Sequence, residues 1–116
     1  MKSRKPYIPD GGDIVWLDFD PQAGHEQAGR RPALVLSPAG YNSRAGLAVT
    51  CPITSRVKGY PFEVPVNAGE IQGVVLADQV RSLDWRVRNA VKIAICSEAI
   101  TRSVREKVQI LLGLPA

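Results

Sequence analysis

The short segment at residues 24–32 combines the side chains of this sequence that are best suited to phosphate chemistry. It contains one glutamate, Glu26, followed by the adjacent pair Arg30 and Arg31. A guanidinium offers a planar fork of donors that matches two phosphate oxygens, and a glutamate can accept a proton or hydrogen-bond a base edge. These groups suit a phosphodiester substrate such as RNA, whose own 2′-hydroxyl can serve as nucleophile. Read alone, however, the same residues are also compatible with a solvated loop.

A second candidate group lies at the end of a different apolar run. Thr54 follows Pro52 and Ile53, and its hydroxyl could donate to charge that develops on a phosphate. Preorganised donors of this kind are typically worth a few kcal/mol each in a transition state. Threonine is also an ordinary strand former, so a purely structural role for Thr54 stays open at this point.

The sequence gives little support for a metal site, a catalytic triad or a nucleotide-binding loop. The sequence has one histidine, His25, and Asp18 and Asp20 are the nearest approach to a cation site, although such a pair is more typical of a solvated strand end. Nothing resembles a nucleophile elbow, a phosphate-binding P-loop or a dinucleotide fingerprint. We therefore expect neither a metal nor another cofactor.

Composition indicates one globular domain over residues 1–116, with flexibility expected at residues 1–9. The formal net charge of +4 favours a polyanionic partner. No apolar stretch is long enough for a signal peptide core or a membrane span, so a cytoplasmic protein is expected. Cys51 and Cys96 lie far apart inside apolar runs, which predicts two buried, reduced thiols.

Turn residues divide the chain into short apolar runs that predict strands and one main helix. Residues 21–29 and 55–61 are polar and predict loops. Ile100, Val104 and Val108 recur at helical spacing after Ser97, a good N-cap, and Gly113 predicts the end of that helix. The strand predictions cover residues 13–19, 31–36, 47–54, 62–66 and a further strand at 73–83 bent near residues 77–78, with a short helical turn at 38–44. This order indicates a small β-barrel or strongly curled sheet with a C-terminal helix packed on it.

Five motifs in chain order resemble the MazF, PemK and Kid family of toxins. They cover nearly the whole chain and keep compatible spacing. The matching stretches are residues 12–21 (GDIVWLDFDP), 24–32 (GHEQAGRRP), 52–55 (PITS), 58–64 (KGYPFEV) and 77–86 (ADQVRSLDWR).

The resemblance implies a mainly β, SH3-like small barrel of the CcdB/MazF type, assembled as a homodimer. It implies metal-independent cleavage of single-stranded RNA, mainly mRNA, at short sequence motifs. The 2′-hydroxyl would attack, leaving a 2′,3′-cyclic phosphate and a 5′-hydroxyl. It also implies an antitoxin of the MazE type, whose acidic, disordered tail orders on binding.

The resemblance also assigns roles to individual residues. Arg31 and Thr54 match the catalytic arginine and hydroxyl, and Glu26 matches a glutamate that helps to bind or polarise the substrate. Basic side chains would attract phosphates independently of sequence, and Phe19 could stack a splayed base. The positions expected near RNA are Phe19, Asp20, Gln27, Arg30, Lys58, Arg81 and Arg86.

Two other classes of function remain as alternatives. A gyrase poison of the CcdB type would bind a protein target and would have no ribonuclease activity. Such a poison uses a C-terminal surface with a tryptophan-containing tail, whereas residues 113–116 here read Gly-Leu-Pro-Ala. A nucleic-acid-binding barrel without catalysis is the other alternative, and an RNA cleavage assay separates all three.

Overall fold

Short antiparallel strands make up most of the described chain. The computed structural model describes residues 6–18 and 29–115. Within those ranges a single 3-10 helix, Ala77–Gln79, accompanies seven strands and two α-helices. These elements are β1 (Asp13–Asp18), β2 (Arg30–Val35), α1 (Ala39–Ala45), β3 (Ala48–Thr54), β4 (Glu63–Ala68), β5 (Ile71–Leu76), β6 (Arg81–Leu83), β7 (Val91–Ile95) and α2 (Glu98–Leu111).

Strand β3 lies at the centre of a curled sheet. The order is β4-β5-β3-β2-β1-β7, and β6 also pairs with β3. One chain segment therefore follows the same edge of β3 twice, first as β5 opposite Ile53 and Thr54 and then as β6 opposite residues 48–50. The 3-10 helix separates the two halves, so the predicted bend near residues 77–78 is confirmed. The result is a mainly β half-barrel with a C-terminal helix, as the sequence predicted.

The sheet carries apolar side chains on both faces, because successive residues of a strand point to opposite sides. Ile14 and Leu34 pair on one face and belong to a core cluster that includes Val104 of α2. Val15 and Ala33 pair on the other face, in a second cluster. Each large apolar side chain that is fully buried contributes roughly 1.5–3 kcal/mol to folding. The central strands are thus stabilised from both sides.

The C-terminal helix begins and ends where the sequence predicts. The side-chain oxygen of Ser97 accepts a hydrogen bond from the amide of Ile100, which caps the first turn. Gly113 has a φ of 80°, the left-handed conformation that commonly ends helices. Arg105 fastens the helix to the sheet by donating to the carbonyl of Leu36 at 2.7 Å. No helix in the described ranges is long and apolar enough to cross a membrane.

A buried asparagine joins α1 to the segment before β1. The amide of Asn42 donates to the carbonyls of Pro9 at 2.8 Å and Ser37 at 2.9 Å, and the indole of Trp85 donates to the Asn42 carbonyl at 3.0 Å. Tyr7 donates to Asp13 at 2.6 Å. Of residues 1–9, for which the sequence predicts flexibility, residues 1–5 lie outside the described part of the chain. Tyr7 and Pro9 are each held by one of these hydrogen bonds.

Two features of the strands refine the sequence predictions. Strand β7, which pairs with β1, was not predicted. Pro32, which has no amide proton to donate to a neighbouring strand, is the third residue of β2. The pairing of β2 with β3 begins only at Ala33, so Pro32 has a strand neighbour on one side alone, where its missing amide proton is tolerated. Cys51 and Cys96 are free and buried, as predicted.

Candidate active site

The register of β2 and β3 brings Arg31 and Thr54 together. Ala33 pairs with Pro52, and the two strands run antiparallel. The pairing of β2 with β3 ends there, and Arg31 and Thr54 lie two residues farther along their strands, where both line one cavity. Side chains two residues apart share a face, so both point to the side of Ala33 and Pro52. Two residues that lie far apart in sequence are thereby placed on adjacent strand ends.

A cavity of about 520 Å³ lies at these strand ends and is called the Arg31 cavity below. Its volume falls in the range of ordinary ligand sites. Arg31 is exposed and Thr54 half-buried. The lining residues are Arg31, Pro32, Ile53, Thr54, Ser55, Arg56, Glu70, Ile71 and Gln72.

The hydroxyl of Thr54 is hydrogen-bonded to the local backbone. The Thr54 oxygen accepts a hydrogen bond from the amide of Arg56 at 3.1 Å. A hydroxyl can donate one proton and accept through two lone pairs. The bond from Arg56 uses one lone pair of the Thr54 hydroxyl, so its proton is available to an acceptor in the cavity. On the other side, β5 passes so close that a β-carbon at Gly73 would overlap the Thr54 carbonyl oxygen. Glycine at position 73 therefore allows the strand approach that holds Thr54.

The adjacent arginines have different surroundings because they lie on opposite faces of β2. Arg30 forms an ion pair with Asp18 at 2.8 Å and donates to the carbonyl of Asn89 at 2.9 Å. The side chain of Asn89 also donates to Asp18. That hydrogen bond, together with the charge of Arg30, holds the pKa of Asp18 below its ordinary value of 3.8. Within residues 6–18 and 29–115, the side chain of Arg31 makes no hydrogen bond or ion pair.

A smaller cavity of about 170 Å³, the Lys58 cavity, adjoins the first. Thr54 and Arg56 line both cavities. The Lys58 cavity is further lined by Lys58, Tyr60, Glu63, Leu76, Asp78 and Gln79. Arg31, Arg56 and Lys58 thus line two cavities that meet at Thr54, an arrangement suited to a polyanionic strand.

Arg81 and Arg86 lie away from this arrangement. Arg81 pairs with Thr50, four residues before Thr54, which is about 13 Å along the strand. The guanidinium of Arg86 lies 4.5 Å from the centre of the Trp85 ring and donates to the carbonyl of Ser43 at 3.4 Å. Neither residue lines the two cavities. Their predicted part in RNA binding remains a prediction.

Several predicted site residues fall outside the described ranges. They are Phe19, Asp20, Glu26 and Gln27, together with the unassigned His25. In the part of the chain that the structure does describe, no three His, Cys, Asp or Glu side chains are grouped as metal ligands would be.

The predicted site residues left out Ser55 and Arg56, which directly follow Thr54 and line the Arg31 cavity. They also left out two further polar residues of that cavity, Glu70 and Gln72. Glu70 lies in the turn between β4 and β5, and Gln72 is the second residue of β5. Only the non-local pairing of β5 with β3 brings the β4–β5 hairpin next to Thr54. No local sequence signal marks either residue as part of a site.

Fold and site together define a class of protein: a small curled β-sheet with a terminal helix and an arginine–threonine pair at one sheet end. The model of the PemK-like, MazF-like toxins of type II toxin–antitoxin systems matches residues 10–112. The chain is 48% identical to the endoribonuclease toxin MazF of Escherichia coli K12 over 113 residues, which are 97% of this chain and all of that protein.

Solved structures show the same likeness. MazF in a MazE–MazF crystal from Deinococcus radiodurans superposes with a TM-score of 0.85 at 51% identity, covering 95% of this chain and 100% of that one. A crystal of MazF itself from that organism gives a TM-score of 0.85 at 58% identity, covering 94% of this chain and 100% of that one. The chain belongs to the PemK-like, MazF-like family of toxins, and its fold is that of the MazF toxins.

Proposed function

We propose that this chain is an endoribonuclease toxin that cleaves single-stranded RNA, chiefly mRNA, at short sequence motifs and without a metal ion. The observation that carries the proposal is the shared cavity of Arg31 and Thr54 at adjacent strand ends. Relatives of this chain carry the name endoribonuclease, including PemK of Escherichia coli at 33% identity over 114 residues.

In the proposed reaction the 2′-hydroxyl of one nucleotide attacks the adjacent phosphorus. The bond to the 5′-oxygen of the next nucleotide breaks, which leaves a 2′,3′-cyclic phosphate and a 5′-hydroxyl. Arg31 stabilises the charge that builds on the non-bridging oxygens, and the Thr54 hydroxyl donates a further hydrogen bond to them. Glu26 helps to bind or polarise the substrate. One proton leaves the nucleophile and one reaches the leaving oxygen, so the step needs no water and no cofactor.

Positive side chains attract and hold the RNA strand. Arg56 and Lys58 are placed to contact phosphates next to the reacting one, because they line the cavities that meet at Thr54. Arg30, Arg81 and Arg86 contribute through the field of the molecule rather than through these cavities. Phe19, Asp20 and Gln27 complete the proposed RNA surface.

The proposed inhibitor is an antitoxin of the MazE type. MazE–MazF crystals from Deinococcus radiodurans show that a similar protein assembles with such a partner. An acidic, disordered tail would fit a chain of net charge +4 whose cavity displays cations, and it would order as it binds. We further propose that the toxin acts as a homodimer in the cytoplasm, where buried free thiols such as Cys51 and Cys96 persist.

A cleavage assay in EDTA tests the proposal. Purified protein should cut a long single-stranded RNA at a few mapped sites, and the products should carry cyclic phosphate and 5′-hydroxyl ends. Arg31→Ala and Thr54→Ala should each lower kcat by about 10²- to 10³-fold, the usual loss for one preorganised donor. Arg102→Ala, which removes an exposed arginine of α2, is the matched control and should cleave normally. Absence of cleavage, or normal cleavage by Arg31→Ala, would contradict the proposal.

A further inference from the structure

The loop at residues 55–61, which joins β3 to β4, folds around a single carboxylate. Glu63, the first residue of β4, accepts hydrogen bonds from the amides of Lys58 at 3.1 and 3.2 Å and of Gly59 at 2.8 Å. Successive amides that converge on one anion form a nest, and hydrogen bonds to a charged acceptor are stronger than neutral ones. The amide of Glu63 donates back to the carbonyl of Tyr60 at 3.1 Å. Glu63 thus closes the loop with both its side chain and its backbone.

The backbone of the loop is adapted to this arrangement. Gly59 has a φ of 81°, in the left-handed region that residues with a β-carbon rarely adopt. That conformation turns the Gly59 amide toward the same carboxylate as the amide of Lys58. The nest is therefore encoded jointly by Gly59 and Glu63.

Other hydrogen bonds of the loop, within the described part of the chain, lie at its two ends. At the start of the loop, the amide of Arg56 donates to the hydroxyl of Thr54. At its end, the ammonium of Lys107 donates to the carbonyl of Pro61 at 2.8 Å. Between them Val57 and Tyr60 are 65% and 58% exposed, so apolar packing holds the middle only weakly. The middle of the loop depends on Glu63.

The folded loop presents two cations to the site. Arg56 and Lys58 line the Lys58 cavity together with Thr54. The ammonium of Lys58 lies 5.8 Å from the centre of the Tyr60 ring, within cation–π range. A loop that is already ordered in this form spares the RNA the entropic cost of ordering it on binding.

We propose that Glu63 is a positioning residue for RNA binding, which keeps the 55–61 loop in the conformation that sets Arg56 and Lys58 beside Thr54. The inference rests on the proposed function, because it assigns those two cations to the RNA strand. The expected change in RNA affinity on removing Glu63 is opposite to the one that its charge alone would give. Removing a negative charge next to an RNA site should tighten binding by electrostatics alone, whereas loss of the loop conformation should weaken it.

Steady-state kinetics on a short single-stranded RNA distinguish the two signs. Glu63→Ala should raise KM about tenfold and change kcat by less than about threefold, since β3 and β5 still hold Thr54. Glu63→Gln keeps an acceptor oxygen for the two amides and should give an intermediate KM. Glu106→Ala, which removes an exposed carboxylate of α2 and changes the net charge equally, is the matched control and should behave as the unsubstituted protein.

Limited trypsin digestion supplies a second readout that does not depend on activity. Arg56 and Lys58 are tryptic sites, and a loop closed by Glu63 should be cut slowly. Glu63→Ala should be nicked after these residues at least about fivefold faster than the unsubstituted protein, at an unchanged Tm, and Glu63→Gln should fall between them.

Three results would overturn the inference: a KM for Glu63→Ala that is unchanged or lower, a loss confined to kcat, or unaltered tryptic nicking. An unsubstituted protein that does not cleave RNA would overturn the proposed function and the RNA-binding part of this inference. The tryptic rates would still decide whether Glu63 holds the loop.

Discussion

Arg30 and Arg31 show how much the strand position of a residue adds to its chemical type. In sequence they are an undifferentiated arginine pair, and residue types alone indicated only that either could meet a phosphate. Pairing with β1 turns Arg30 toward Asp18, and the alternation of β2 turns Arg31 to the opposite face. Family motifs selected Arg31, but the ion pair of Arg30 could not be predicted, because Asn89 and Asp18 meet it only through non-local pairing.

The cluster around Asp18 should make stability depend on acid pH. The hydrogen bond from Asn89, and after it the charge of Arg30, lower the pKa of Asp18 in the folded protein. A depressed carboxyl pKa contributes stability that is fully present above the unfolded value of 3.8 and is lost as the pH falls through the folded value. The difference in unfolding free energy between the unsubstituted protein and Asp18→Asn should therefore be present at pH 7 and shrink below about pH 4.

Urea unfolding followed at pH 7, 5, 4 and 3 measures that difference. Glu98→Gln provides the control, because its carboxylate lies in an exposed pair with Arg102. A difference for Asp18→Asn that grows on acidification would contradict the sign of the shift.

At the scale of elements, β3 organises the site. It pairs with β2 on one edge and with both β5 and β6 on the other. Sequence patterns predicted most of these strands, the bend between β5 and β6, and the capped C-terminal helix. They did not predict β7, although Val91, Ile93 and Ile95 alternate with Lys92 and Ala94. That strand is short and half-exposed, and only its pairing with β1 gives it a place in the sheet.

Close packing of β5 on β3 predicts a sharp difference between two glycine substitutions. Gly73→Ala would force a β-carbon into the Thr54 carbonyl, so the strands must shift. We expect a loss of roughly 1–3 kcal/mol in unfolding free energy and a lowered kcat for RNA cleavage. Gly40→Ala introduces the same methyl group into α1, where nothing lies within 4 Å apart from the chain neighbours and the helix's own backbone. It should stabilise the protein by about 0.5–1 kcal/mol and leave kcat unchanged.

Thermal unfolding and initial cleavage rates check both variants. Equal effects of the two substitutions on kcat would show that the contact between Gly73 and Thr54 does not position the hydroxyl.

For the whole molecule, one apolar cluster accounts for the burial of both cysteines, because Cys51 and Cys96 belong to the core cluster that includes Val104 of α2. Cys51 lies on β3 at the centre of the sheet, fully buried. Composition predicted buried thiols, because both cysteines occur in apolar runs. It could not show that the two thiols share one cluster, since that depends on how the surrounding strands pair.

Burial should make Cys51 a reporter of global unfolding. Burial, and to a smaller extent the charge of Asp78, raises the pKa of the thiol to about 12. A raised thiol pKa means that stability falls as the pH rises above the ordinary value of 9.0, because only the unfolded chain then loses the proton. In a Cys96→Ala variant at pH 8, a disulfide reagent should modify Cys51 only after unfolding in denaturant. Rapid modification of the native protein would contradict this burial.

The shared end of β2 and β3 affects how the protein responds to heating. The pairing of β2 with β3 stops at Ala33 and Pro52, so Arg31 and Thr54 lie on two strand ends beyond the last paired residues. Ends of a hydrogen-bonded ladder separate at a smaller free energy than the whole fold. Warming should separate these two strand ends first. Amides near Arg31 and Thr54 would then exchange with solvent, and the two side chains would lose their relative positions, at temperatures where the core is still intact. Inactivation of this protein would then be a reversible local opening that precedes melting.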